Sequence, residues 1–168
     1  MASCIGLREY YPGMLHRIIQ SVIGWEDAHL YQFRVGEKVY SGPEMTDDDV
    51  YDPPIMDERK AMLSQIAPTK VDRFLYDYDF GDGWVHDVLV EDIIDPEPDH
   101  PYPLCLDGER ACPPEDCGGP PGYEDMLEAL ADSKHPEHRE FLDWIGDDQF
   151  DPETFDLERA NATLGKIG

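Results

Sequence analysis

The sequence predicts a single α+β domain: a small mixed or antiparallel sheet with a central aromatic hairpin, packed by several short helices and carrying a proline-rich cysteine loop. Three observations predict it. Phe74, Tyr76, Tyr78 and Phe80 alternate with Leu75, Asp77 and Asp79 up to Gly81-Asp82-Gly83, and period two ahead of a glycine turn marks a hairpin. Elsewhere apolar residues recur at spacings of three and four, which places them on one helix face. The 168 residues are enough to bury one core and leave little for a second.

Taken in order, Met14, Leu15, Ile18, Ile19, Val22 and Ile23 predict a buried helix that Gly24 ends. Tyr31, Phe33 and Val35 alternate with Gln32 and Arg34, and Lys38 to Tyr40 continues after Gly36 and Glu37, so a strand pair is expected. Pro43 to Asp57 is dense in acids and broken by prolines, which reads as a solvated loop. Glu58 to Ile66 reads as a short helix with Met62, Leu63 and Ile66 on one side, Asp57 as cap and Pro68 as stop. The aromatic hairpin follows and returns through Trp84 to Ile94. Asp95 to Pro121 is expected to be a long loop, and a loop of that length is usually functional or cross-braced. Tyr123, Met126, Leu127 and Leu130 predict a helix to Asp132. A second, Glu137 to Ile145, starts behind Pro136 and turns Phe141, Leu142, Trp144 and Ile145 to the core, with Gly146 ending it. A last short helix runs from Phe155 to Leu164, and no internal repeat is visible.

Charge narrows the function. Asp and Glu number 38 against 13 Lys and Arg, for a net charge of −25. Such a surface repels phosphate, so direct binding to a nucleic-acid backbone or an anionic membrane is not expected. With 40% hydrophobic residues the chain is too apolar for an acidic disordered tail. No run of 18 apolar residues and no basic start followed by an apolar stretch occurs, so neither a membrane span nor a signal peptide is expected and a cytoplasmic setting is. There the four cysteines would be thiols or metal ligands. The expected partner is a protein, a basic one or a DNA-binding protein toward which the acidic surface mimics nucleic acid.

Four motifs stand out: Gly24-Trp25-Glu26-Asp27-Ala28-His29-Leu30; Asp57-Glu58-Arg59; Tyr76-Asp77-Tyr78-Asp79-Phe80-Gly81-Asp82-Gly83-Trp84 with His86; and Arg110-Ala111-Cys112-Pro113-Pro114-Glu115-Asp116-Cys117-Gly118-Gly119 running into Gly122-Tyr123. Through them the chain, from roughly Leu15 to Leu157, resembles the plasmid pRiA4b ORF-3-like proteins. That resemblance implies an α+β domain. It implies little chemistry, since members occur in plasmid, transposon-passenger and chromosomal settings and some are labelled resolvase-like. Serine recombination needs a nucleophilic Ser among arginines, and Ser3, Ser21, Ser41, Ser64 and Ser133 have no such setting. Two departures from the family pattern are expected to matter. Its usual first strand, with a Pro-Pro-x-Trp-Arg-Arg-like segment, is expected to be missing because only Met1 to Pro12 precede the first helix, which would leave a sheet edge open. Tyr31 stands where the family more often has His.

Two constellations are candidates for chemistry. Cys105, Cys112 and Cys117 follow a C-x6-C-x4-C spacing, and a tetrahedral Zn²⁺, the one cofactor suggested, would need a fourth ligand such as His86. The alternatives are buried small side chains or a cysteine pair bracing the loop. Trp25, His29, Tyr78, Asp82, Trp84 and His86 are candidates for one pocket, because strand alternation sets Tyr76, Tyr78 and Phe80 against Asp77 and Asp79 and gives Trp84, His86 and Val88 a common face. Asp and His together bind a divalent cation or act as general acid and base. The plainer reading makes Asp82 a turn residue, Trp84 a core anchor and His86 a strand histidine with satisfied partners. The acids from Glu44 to Asp52 lack a calcium-loop pattern and read as a solvated run. These features favour a non-enzymatic acidic binding module whose Cys105 to Tyr123 loop is its surface or brace. The alternative is a metal-dependent hydrolase or nuclease-like enzyme that uses His29, Asp82 and His86.

Overall fold

Strand β1 (Ala2–Ile5) leads into helix α1 (Pro12–Ile23), and α1 is the element on which two apolar clusters meet. Its Leu15, Ile19 and Ile23 pack on an aromatic cluster, while Ile18 and Val22 belong to a second one with Cys105, Ala160 and Leu164. Pro12 sits in its first turn, where a missing N–H costs nothing, and Gly24 at φ 90° closes it. The computed structural model describes residues 1–6, 8–46, 54–97, 99, 101–146 and 150–167.

After α1 come β2 (Tyr31–Val35), β3 (Lys38–Ser41), β4 (Ile55–Asp57), helix α2 (Leu63–Ile66), β5 (Arg73–Tyr78) and β6 (Trp84–Leu89). The five strands form one sheet in the order β4-β3-β2-β5-β6, antiparallel except for the parallel pair β3 and β4. Phe33, Phe74, Tyr76 and Tyr78 fill its inner face and are at most 5% exposed. Strand β7 (Leu104–Gly108) pairs antiparallel with β1 in a separate two-stranded sheet. Helices α3 (Gly119–Ala131), α4 (His138–Ile145) and α5 (Leu157–Leu164) complete an α+β fold. Helix α5 is tied to β7 by the Asn161 amide, which donates to Cys105 O at 3.0 Å and accepts from Cys105 N at 2.9 Å.

Several expectations need correction. A strand does precede the first helix, and β7 covers its edge. The acidic stretch after Pro43 is not only a loop: Met45 is buried at 8% exposure and Ile55–Asp57 forms β4, while residues 47–53 lie outside the described residues. The expected helix 58–66 is broken, because Ala61 and Met62 are extended between a single turn at Glu58–Lys60, capped by Asp57, and α2. The loop 95–121 contains β7. The aromatic alternation stops at Tyr78, since Asp79 adopts φ 50° and turns Phe80 outward to 46% exposure. Asp77 is buried, held by a two-pronged ion pair with Arg34 at 2.6 and 2.8 Å. On α4, Trp144 is 47% exposed and faces away from the core.

Candidate functional site

Three of the four motifs converge where the turn before β2, the turn between β5 and β6, and the segment leading into α3 meet. The turn before β2 begins at α1, whose His16 and Gln20 both reach the Tyr76 hydroxyl, at 2.8 and 2.9 Å. Gln20 donates to that oxygen, so the hydroxyl donates to His16 Nδ1, and His16 Nε2–H donates to Asp27 Oδ1 at 2.7 Å. The polar chain fixes the tautomer and holds Asp27 at φ 58°. Burial pushes the His16 pKa down despite the pull of Asp27. Tyr31, at the position where the resemblance predicts His, stacks on His16 at 3.6 Å and donates to the buried Glu58 carboxylate at 2.8 Å.

Tyr78 is the hub of the junction. Its ring stacks on Trp25 at 4.9 Å, and its hydroxyl accepts from Ala28 N at 3.0 Å and His29 N at 3.3 Å while donating to the Glu115 carboxylate. Burial, and then Glu115, push the phenol pKa upward, so it stays a donor. Glu115 also accepts from Glu26 N at 2.7 Å, and Trp25 Nε1 donates to Pro113 O at 2.8 Å. On the other side Asp82 accepts from Gly118 N at 3.1 Å. Gly119, at φ 69°, lies so close to Asp82 O that a Cβ there would overlap it.

The expected pocket is thus partly assembled. Trp25, Tyr78, Trp84 and His86 form one aromatic cluster, with Trp25 5.7 Å from Trp84 and 5.5 Å from His86 between ring centroids. His29 joins it edge-on to Tyr78 at 5.8 Å. His29, Asp82 and His86 do not share a cleft, however. His86 points Nδ1 at Tyr76 O within the sheet, where burial lowers its pKa, and Asp82 is engaged by Gly118. The acids that His29 meets are Asp116 at 2.9 Å and Asp79 at 3.7 Å. One ligand atom from each of these three lies within 4.8 Å of the others. The sequence does not mark Asp79 and Asp116 as a pair: strand alternation puts Asp79 on the open face, and Asp116 sits inside the cysteine motif with no spacing that ties it to His29.

The cysteines do not form a site with His86. Cys105 is buried opposite Cys4 in the β1–β7 pair and points Sγ at Asp107 O, 3.5 Å away. Cys112 and Cys117 lie elsewhere in the loop, and no two of the four cysteines are joined. Burial raises both thiol pKa values, with Asp82 adding to the rise at Cys117, so neither is a thiolate poised for attack. Two open surface depressions, one at Glu109, Arg110 and Phe155 and one at Arg34, Glu37 and Val39, include none of the junction residues. Among the described residues no helix is long and apolar enough to cross a membrane.

Comparison with known proteins adds relatives of unassigned function. An uncharacterized protein y4hQ of Sinorhizobium fredii is 38% identical over 153 residues, 91% of this chain and 77% of the relative. The crystal structure of MM3350 from Methanosarcina mazei Go1, a protein of unknown function, is 38% identical with a TM-score of 0.81, covering 94% of this chain and 86% of that one. The profile of the plasmid pRiA4b ORF-3-like proteins matches residues 10–159. With that match laid over the converging motifs, this chain belongs to the plasmid pRiA4b ORF-3-like family.

Proposed function

We propose that the chain is an acidic interaction module that docks a basic protein segment on the α3–α4 pair. One observation carries this reading: Trp144 is 47% exposed on a helix with no fully buried residue, in a stretch of sequence that carries Glu124, Asp125, Glu128, Asp132, Glu137, Glu140 and Asp143. Only Lys134 and Arg139 offset these seven acids between residues 124 and 144. An indole face flanked by carboxylates suits Lys and Arg side chains, through cation–π contact with the ring and ion pairing at the rim. Phe141, Leu142 and Ile145 are half-buried beside it, so an apolar strip accompanies the charge. The net charge of −25 attracts a cationic partner to the molecule and repels a nucleic-acid backbone.

The test is calorimetric titration with a synthetic amphipathic peptide rich in lysine, arginine and leucine, at about 0.05 M and about 0.5 M NaCl. Binding should weaken with salt, and Trp144→Ala should weaken it at least tenfold at low salt. Affinity equal in parent and Trp144→Ala would show that any attraction is diffuse charge alone and would overturn the reading, as would absence of binding at low salt.

A further inference from the structure

We propose that His29, Asp79 and Asp116 form a binding site for one first-row divalent cation, with Zn²⁺ the best match. The three come from three separate segments: His29 just before β2, Asp79 just after β5, and Asp116 ahead of α3. A single ring nitrogen, His29 Nε2, faces two carboxylates, Asp116 Oδ1 at 2.9 Å and Asp79 Oδ2 at 3.7 Å. One N–H serves only one of them. The proton goes to Asp116, and Asp79 Oδ2 has no hydrogen-bond donor within reach among the described residues, although its side chain is only 10% exposed. Its other oxygen is occupied by Gly81 N at 3.0 Å and Asp82 N at 3.3 Å, which aims the free oxygen at His29. Among the described residues, no lysine or arginine forms an ion pair with Asp79, Asp82, Glu115 or Asp116. Among the described residues no side-chain oxygen is both buried and unpartnered, so the residual exposure of Asp79 opens this oxygen to solvent, and a cation would take the place of that water.

The spacing fits a metal. Bonds of about 2.0–2.1 Å in a tetrahedral zinc site place neighbouring ligand atoms about 3.3 Å apart. The 2.9 and 3.7 Å separations bracket that value and the two carboxylate oxygens lie within 4.8 Å of each other, so an ion taking the place of the imidazole proton would draw the three ligands together. Imidazole with two carboxylates selects a borderline cation such as Zn²⁺ over the all-oxygen preference of Ca²⁺ and Mg²⁺. Supporting contacts orient each ligand, as metal sites require: the Gly81 and Asp82 amides hold Asp79, Tyr78 holds the His29 backbone and ring edge, and Glu115 beside Asp116 is anchored on Tyr78. Asp116 is 70% exposed and His29 30%, which leaves an open side where water completes the coordination. An ion here would cross-link three loops. That role is independent of the partner proposed for α3–α4.

The experiment titrates untagged, chelator-stripped full chain with Zn²⁺ by calorimetry and with Co²⁺ by absorption spectroscopy. One equivalent of Zn²⁺ should bind, and the melting temperature should rise with metal by mass action. Asp116→Asn and His29→Gln should each lower affinity at least tenfold, while Asp116→Asn melts in chelator at the parent value, because the Asp116 side chain is 70% exposed. Cobalt should give visible d–d bands without a thiolate charge-transfer band. Absence of stoichiometric uptake, unchanged affinity in both variants, or a thiolate band pointing to Cys112 or Cys117 would each overturn the proposal.

Discussion

His16 and His86 are both kept neutral by burial, and the aromatic core depends on that neutrality. His16 uses one nitrogen as acceptor and the other as donor, which an imidazolium could not do. His86 lies among Trp25 and Tyr76 and, among the described residues, has the Tyr76 carbonyl as its hydrogen-bond partner. For both, desolvation is the largest influence and lowers the pKa. The unfolded chain takes up these protons near its ordinary value of about 6.5, whereas the folded chain resists. Stability from this source is therefore complete above about 6.5 and is lost as pH falls from there toward the lower folded values. His86→Phe keeps a ring against Trp25 and Tyr76 and removes the titration. Its urea midpoint should fall less than the parent's between about pH 7.5 and about pH 5.5. Equal slopes would show that His86 accepts a proton without disturbing the fold. Glu58 runs the other way: burial raises its pKa in spite of the Tyr31 hydroxyl, so its ionisation opposes folding as pH rises. The sequence marked Tyr31 as a departure from the family pattern, but its reason, a stack on His16 and a buried carboxylate 27 residues away, is visible only in three dimensions.

The elements read correctly from sequence are those whose periodicity runs long enough to register. Helix α1 shows three turns of apolar spacing, and β5 shows three inward aromatics. Strands β1, β4 and β7 are short and, unlike β2 and β3, are not joined by a tight turn to the strand they pair with, so each is defined by a partner farther along the chain. The Glu58–Ile66 stretch has helical spacing but is split because Leu63 N and Ser64 N donate instead to Tyr10 O and Arg8 O. The segment before α3 is positioned the same way, by what it touches. Gly119→Ala should cost at least about 2 kcal/mol in denaturant unfolding, since a Cβ there would meet both a left-handed backbone and the Asp82 carbonyl. Gly36→Ala is the control: it has a similar φ of 59° with open space around it, so it should cost only about 1 kcal/mol. If the two cost the same, the packing of Gly119 on the β5–β6 turn contributes nothing to stability.

For the molecule as a whole, the net charge of −25 opposes compaction through self-repulsion. Raising NaCl from about 0.05 M to about 0.5 M should lift the melting temperature by several degrees in parent and Trp144→Ala alike, because screening acts on every exposed carboxylate. A flat response would mean that the carboxylates are already compensated pairwise. By itself the sequence determined the α+β class, the aromatic hairpin, the helices around it, the family and the acidic character of the surface, because all of these are written in local periodicity, composition or motif. Tertiary structure alone decided which side chains meet. It separated Asp82 and His86 from His29 and dispersed the cysteines, and it brought Asp79 and Asp116 to one imidazole across 50 and 87 positions of chain. Alternation assigns a residue to a face only while the strand continues. At Asp79 the backbone turns left-handed and the strand ends, so the carboxylate swings to a neighbour that local spacing does not encode.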